Sequence, residues 1–129
     1  MLIVDDAAMN LIALGGILTN FDLNCDEAAD GNIAIELAKR RIHSNLPFYK
    51  LILMDYSMPE CDGPTAAAAI LKLLSEHRPL DPPVLIACVT AYTTESFRKA
   101  ALDSGMKHFL TKPVNVGNIE ALLLEVGLK

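Results

Sequence analysis

Chemically reactive side chains stand where four short apolar segments of this chain end. The segments and the residues that close them are 2–4 with Asp5 and Asp6, 51–54 with Asp55, 84–89 with Thr90, and 108–110 with Thr111 and Lys112. A short apolar run bounded by turn-forming residues is typical of a strand buried on both faces of a sheet. The pattern therefore predicts that several strand ends present carboxylates, a hydroxyl and an ammonium group at one place.

Three converging carboxylates repel one another unless a cation lies among them. A ligand set made only of oxygen atoms favours a hard cation, and Mg²⁺ is the ion expected where the protein supplies few of the ligands. A lysine such as Lys112 provides a mobile positive charge for phosphate oxygens, and the Thr90 hydroxyl can donate a hydrogen bond to the same group. These side chains suit a phosphoryl group held beside a metal, where chemistry depends on positioning and charge neutralisation.

The nucleophile of such a site has to be a carboxylate, because no Ser–His–Asp or Cys–His pairing is evident in the sequence. Asp55 stands alone on its strand, whereas Asp5 and Asp6 form a natural pair of metal ligands. Taken singly, Asp5 and Asp6 are as well explained by a helix N-cap, and Asp55 by an Asx turn. Their joint occurrence with Thr90 and Lys112 at four strand ends favours the chemical interpretation.

Strand-like and helix-like segments alternate along the chain and must position these residues. The predicted strands are 2–5, 23–27, 51–55, 84–89 and 107–111, and the predicted helices begin near residues 8, 31, 64, 95 and 116. Gly105 is expected to end the fourth helix, and Asn115 is expected to cap the fifth. Five strand–helix units predict an α/β fold: a doubly wound, five-stranded parallel sheet of order 2-1-3-4-5 with five helices, as in flavodoxin-like folds.

Length, composition and charge narrow the class of protein. A chain of 129 residues with 52% hydrophobic residues is expected to form one domain over residues 1–129. The formal charge of -5 and the absence of a basic block argue against a nucleic-acid partner. No apolar run is long enough for a membrane span, and no signal peptide is visible. The unpatterned cysteines Cys25, Cys61 and Cys88 favour a reduced, cytoplasmic protein without direct membrane contact.

Four segments, in this order and at these separations, carry a specific likeness to a known family. They are Leu2-Ile3-Val4-Asp5-Asp6, Leu53-Met54-Asp55-Tyr56-Ser57-Met58-Pro59 with Asp62-Gly63, Val89-Thr90-Ala91, and Leu110-Thr111-Lys112-Pro113. By these segments the chain closely resembles the response-regulator receiver domains of two-component phosphorelay systems. The likeness covers nearly all of the chain and implies the flavodoxin-like receiver fold.

The resemblance implies a role for each acidic residue. Asp55 is expected to accept a phosphoryl group from a phosphohistidine on a histidine kinase or a histidine phosphotransfer protein. Asp5, Asp6 and Asp55 are expected to bind Mg²⁺, with the backbone carbonyl of Ser57 as a further ligand.

The resemblance also implies a switch. Thr90 and Lys112 are expected to contact the phosphate, and Phe109 takes the place of the family's switch aromatic residue. The surface that changes would be formed by the fourth helix, fifth strand and fifth helix, roughly Glu95 to Val126. Receivers commonly have a cis bond after the lysine, so the Lys112–Pro113 bond is a candidate.

Two positions are expected to tune how fast the phosphate is lost. In receivers, the residues two beyond the phosphoacceptor and two beyond the switch threonine flank the path of the hydrolytic water. Here they are Ser57 and Tyr92. A bulky Tyr92 would shield the acyl phosphate, and Ser57 lacks an amide or carboxylate to orient water. The expected rate of self-dephosphorylation is slow to moderate.

Two other functions fit parts of the pattern. One is a receiver-like scaffold that acts without phosphorylation, although the complete set of site residues argues against it. The other is a small phosphatase that forms an aspartyl phosphate, although such enzymes typically carry a second acid where this chain has Ser57. We therefore expect a signalling domain and not an enzyme. The sequence also resembles receivers attached to eukaryotic-type hybrid histidine kinases. We therefore also expect that the domain belongs to a hybrid histidine kinase.

Overall fold

Five parallel strands form a single sheet in the order β2-β1-β3-β4-β5 in the computed structural model, which describes residues 1–91 and 94–129. The strands are β1 Leu2–Val4, β2 Asp26–Ala28, β3 Leu51–Asp55, β4 Leu85–Thr90 and β5 His108–Thr111. The helices are α1 Ala8–Thr19, α2 Gly31–Ile42, α3 Gly63–His77, α4 Glu95–Ser104 and α5 Val116–Glu125. The predicted fold class, strand order and alternation are confirmed. Within the described ranges, no helix combines the length and apolar character needed to cross a membrane.

Side chains of the central strands alternate between two separate hydrophobic cores. Ile52 and Met54 of β3 pack with α2, α3 and α4 on one face of the sheet. Leu51 and Leu53 pack with α1 and α5 on the other face. Since β3 is covered on both sides, every position of the strand is apolar until Asp55 ends it.

The helix ends follow from local sequence. The side chain of Asn115 accepts a hydrogen bond of 3.0 Å from the backbone N–H of Asn118, which confirms the predicted cap of α5. Pro64 lies in the first turn of α3, where a backbone N–H would have no partner within the helix, so proline costs no hydrogen bond there. Gly105 ends α4 with a φ of 103°, and a Cβ there would lie 2.2 Å from Leu71 Cδ1. The left-handed backbone at this C-cap therefore favours glycine.

The second strand is the element that the sequence places wrongly. It was expected over 23–27 and is found at Asp26–Ala28. The N–H of Leu23 donates to Leu18 O, so the chain is still leaving α1 at that point. Pairing begins only where the N–H of Asp26 donates to Met1 O, and β2 then pairs with β1 alone. An edge strand exposed at two of its three residues has no continuous apolar run to mark it.

Candidate functional site

The register of the sheet brings Asp55, Thr90 and Lys112 to one edge. Asp55, the last residue of β3, is paired with Val89 of β4, directly before Thr90. Thr90 is paired with Thr111 of β5, directly before Lys112. The carboxyl ends of parallel strands share one edge, so residues far apart in sequence meet there.

Lys112 lies between two buried carboxylates. Its Nζ atom is 3.0 Å from Asp55 Oδ1 and 3.3 Å from Asp5 Oδ2. Asp5 is 1% exposed and Asp55 is 5% exposed, whereas Lys112 is only partly buried. The backbone N–H of Lys112 also donates to Thr90 O at 2.9 Å, which ties the end of β5 to the end of β4. Lys112 therefore offsets part of the negative charge of these two buried carboxylates.

Carboxylate oxygens of Asp5, Asp6 and Asp55 all lie within 4.8 Å of one another. Oxygen atoms on opposite sides of a bound Mg²⁺ lie about 4 Å apart, because each ligand distance is about 2.1 Å. The three carboxylates therefore fit a small, hard cation with little adjustment. Asp6 is exposed, so solvent can reach the site from that side. The Ser57 carbonyl as a further ligand stays a prediction.

Burial is the main influence on the charge state of Asp55. Loss of water raises its pKa from 3.8 to about 6, and the charges of Asp5 and Asp6 act in the same direction, against the hydrogen bond from Lys112. Burial alone would lower the pKa of Lys112, but its contacts with Asp55 and Asp5 outweigh that effect, and the pKa lies above its ordinary value. Lys112 is therefore charged throughout the pH range in which Asp55 ionises.

The predicted switch residues lie beside this edge. Thr90 is buried at the end of β4, and Phe109 is half-buried on β5 with the guanidinium of Arg98 4.9 Å from its ring centroid. The Lys112–Pro113 bond is cis, as expected. Ser57 is exposed in the loop after β3, and Tyr92 lies outside the described residues.

One residue at this edge was missed by the sequence reasoning. Asn10, in the first turn of α1, donates from Nδ2 to Asp5 Oδ2 at 3.0 Å. A signal was present, because Asn10 and Thr19 are the two polar side chains in the otherwise apolar and glycine-containing α1. Asparagine is a poor helix former, so its place there calls for a tertiary reason.

A family model and a curated relative match most of the chain. Residues 1–124 match the model described as "Response regulator receiver domain". The signal transduction histidine-protein kinase BarA of Escherichia coli is 33% identical over 121 residues. The match covers 94% of this chain but only 12% of that kinase. The chain is thus similar to one segment of a much longer protein.

Solved receiver structures have the same fold. The receiver domain of Ssk1 from Saccharomyces cerevisiae, crystallised with the histidine phosphotransfer protein Ypd1, is 30% identical to this chain with a TM-score of 0.84. That match covers 98% of this chain and 87% of the other. The receiver domain of a Pseudomonas aeruginosa sensor histidine kinase, with a magnesium ion in its active-site cleft, is 25% identical with a TM-score of 0.79. There the match covers 98% of this chain and 95% of the other.

Proposed function

Because the chain belongs to the response regulator receiver domain family, we propose that Asp55 accepts a phosphoryl group from a phosphohistidine. The observation that carries this proposal is the position of Lys112 Nζ, within 3.3 Å of the carboxylates of both Asp5 and Asp55. A lysine so placed can neutralise the incoming phosphate without leaving the site, and Asp55 is the acidic residue that ends the central strand of the sheet.

The transfer exchanges one bond to phosphorus for another. A carboxylate oxygen of Asp55 attacks the phosphorus atom, the new O–P bond forms, and the P–N bond of the donor breaks. The electron pair of that bond returns to the imidazole nitrogen, and a proton on the other ring nitrogen makes neutral imidazole the leaving group. Lys112 would then pair with the phosphate oxygens, and the Thr90 hydroxyl would donate a hydrogen bond to them.

Asp5, Asp6 and Asp55 would hold Mg²⁺, as their close-set oxygens allow. When bound, the ion neutralises charge that gathers on the phosphoryl oxygens. The protein contributes the rest: Asp5 and Asp55 are fixed by strand ends, and burial keeps bulk water from the Asp55 carboxylate.

The donor we propose is a histidine kinase or a histidine phosphotransfer protein, in keeping with the Ssk1 receiver crystallised with Ypd1. Residues 1–129 would act as a single receiver domain in the cytoplasm, and the domain would be a phosphoacceptor and not itself an enzyme. A hybrid histidine kinase is the parent we favour, because BarA is a kinase that carries a similar segment.

Phosphorylation would change the surface formed by α4, β5 and α5. Phe109 is part of β5 and contacts Arg98 of α4, and Thr90 ends the neighbouring strand β4. Movement of the Thr90 hydroxyl towards the phosphate would open space on the side of β5, and the side chain of Phe109 could then take a new position.

Intact mass spectrometry tests the proposal. The chain is incubated with phosphoramidate, whose P–N bond resembles that of phosphohistidine, with Mg²⁺ or with EDTA. Asp55→Asn is the test variant. Asp62→Asn is the matched control, because Asp62 is an exposed carboxylate of the same loop that caps α3.

We expect one phosphate adduct that requires Mg²⁺, persists in the Asp62 variant and is absent from the Asp55 variant. Mg²⁺ binding without any adduct would support the scaffold function instead. Continuous release of inorganic phosphate from small phosphate esters, at many turnovers per molecule, would support the phosphatase.

A further inference from the structure

The carboxylate of Asp5 is held from several directions at once. Its Oδ1 atom accepts a hydrogen bond of 2.9 Å from the backbone N–H of Ala7. Its Oδ2 atom accepts one of 3.0 Å from Asn10 Nδ2 and lies 3.3 Å from Lys112 Nζ. Asp5 is 1% exposed, so these contacts replace nearly all of its water.

The partners of Asp5 differ in charge. Ala7 and Asn10 donate from neutral amides, whereas Lys112 donates from an ammonium group. A carboxylate oxygen has room for two partners. Asn10 occupies one position on Oδ2 without cancelling the negative charge of Asp5. The contact with Lys112 is the cationic one, and a bound cation would bring a second positive charge to the same carboxylate.

Helix propensity does not explain the presence of Asn10 in α1. It lies in the first turn of a helix whose buried residues are the leucines Leu11, Leu14 and Leu18. Asparagine is less favourable in a helix than alanine or leucine, and α1 contains no charged residue for it to pair with. Its side chain donates a hydrogen bond to the buried carboxylate of Asp5.

We propose that Asn10 is a positioning residue that fixes the Asp5 carboxylate and thereby raises the affinity of the site for a divalent cation. The proposal rests on the proposed function, in which Asp5 is a ligand of Mg²⁺. The reactive side chains predicted from the sequence stand at the ends of strands. Asn10 instead belongs to α1 and acts on the site through Asp5. Residues that hold a metal ligand by a hydrogen bond typically change metal affinity by about 10- to 100-fold when removed.

The test measures the binding of Mg²⁺ alone, by isothermal titration calorimetry, with no phosphodonor present. Asn10→Leu is the main variant, because leucine has a similar size, favours the helix and cannot donate a hydrogen bond. Asn10→Gln keeps an amide on a longer side chain. Thr19→Ala is the matched control, because Thr19 is the other polar residue of α1 and donates within the helix to Gly15 O.

We expect Asn10→Leu to weaken Mg²⁺ binding about 10-fold. The glutamine variant should recover part of that loss, and Thr19→Ala should bind as the unaltered chain does. Urea unfolding in EDTA checks that the leucine variant is folded, and rescue by glutamine separates the loss of a donor from a general loss of structure.

Two results would overturn the proposal, and they have different meanings. If Asn10→Leu binds Mg²⁺ as tightly as the unaltered chain, Asn10 has no positioning role, and the proposed function is untouched. If the unaltered chain binds no Mg²⁺, the metal site fails as well, and the proposed function fails with it.

Discussion

At the scale of the residue, Asp55 must satisfy opposing requirements. A nucleophile has to be ionised, yet burial at the end of β3 favours the neutral acid and raises the pKa to about 6. Lys112, 3.0 Å away, lowers the pKa of Asp55 and so offsets part of the effect of burial. The charges of Asp5 and Asp6 raise that pKa further. The metal-free site therefore holds concentrated negative charge at neutral pH, and a cation relieves it.

This charge predicts that Asp55→Asn stabilises the metal-free protein. Between pH 3.8 and about 6 the folded chain keeps a proton that the unfolded chain has lost, so stability falls as pH rises through this range. Above about pH 6 the free-energy cost of the buried, ionised carboxylate no longer changes with pH. The neutral amide of asparagine does not carry this cost. We expect the free energy of unfolding in EDTA to increase by about 2 kcal/mol near neutral pH.

Urea unfolding of both proteins, from about pH 4 to about pH 8, measures this effect. The gap between variant and unaltered chain should widen with pH and then level off above about pH 6, in line with the raised pKa of Asp55. A gap that does not change with pH would show that Asp55 is not desolvated as described.

The residue at position 92 carries a kinetic prediction. By the resemblance to receivers, a bulky side chain at this position would shield the acyl phosphate from water, so Tyr92→Ala should speed the loss of phosphate from Asp55. The decay of the adduct after removal of the phosphodonor, followed by intact mass, gives the rate. An unchanged rate would mean that Tyr92 does not control access of water.

At the scale of the element, Arg78 joins α2 to the segment after α3. Its guanidinium donates to the backbone carbonyls of Arg41, Ile42, Ser44 and Leu46 at distances between 2.8 and 3.1 Å. The side chain is 16% exposed. The last carbonyls of a helix have no partners within it and attract positive charge, so one arginine here satisfies the end of α2.

Removal of this arginine should therefore destabilise the fold. We expect Arg78→Ala to lower the free energy of unfolding by about 3 kcal/mol, because several backbone carbonyls at and beyond the end of α2 lose a charged donor. Arg40→Ala is the control: Arg40 is exposed and its contact with Glu36 is 3.8 Å long, which contributes little. Equal effects of the two substitutions in urea unfolding would refute the structural role of Arg78.

The elements also show what sequence alone can predict. β3 was predicted to the residue, because burial on both faces requires a continuous apolar run, and Asp55 ends it. Parallel strand ends share an edge, so Asp55 and Lys112 could be placed together without a structure. Asn10 was missed although it stands out among the apolar residues of α1, because no sequence motif pairs it with Asp5. Arg78 could not be assigned, because its partners are backbone carbonyls, which leave no pattern in the sequence. β2 was misplaced because an exposed edge strand needs no apolar run.

At the scale of the whole molecule, α4 is held less firmly against the sheet than the other four helices. Ala101 is the one fully buried residue of α4, whereas α1, α2, α3 and α5 each have three or more. Two aromatic contacts connect α4 to the site: Phe97 with Tyr56, at 5.0 Å between ring centroids, and Arg98 with Phe109. A helix with few buried contacts moves at low cost in free energy.

Phosphorylation should therefore change the amide hydrogen exchange of α4 more than that of α2. We expect amide hydrogen exchange to change between 95 and 111, and to stay the same in α2, when the phosphorylated chain is compared with the Asp55→Asn variant under the same conditions. Changes restricted to the loops at the carboxyl edge would contradict a switch through α4, β5 and α5.

The most direct test of the central claim is to locate the phosphate. Borohydride reduces an acyl phosphate to an alcohol and leaves free carboxylates intact, so the modified side chain can be identified by peptide mass spectrometry after phosphorylation and reduction. We predict reduction at Asp55 alone, and only after incubation with both phosphodonor and Mg²⁺. Reduction at Asp5, Asp6 or Asp62 instead, or at no residue of a chain that carries the phosphate adduct, would contradict the assignment of Asp55 as the phosphoacceptor.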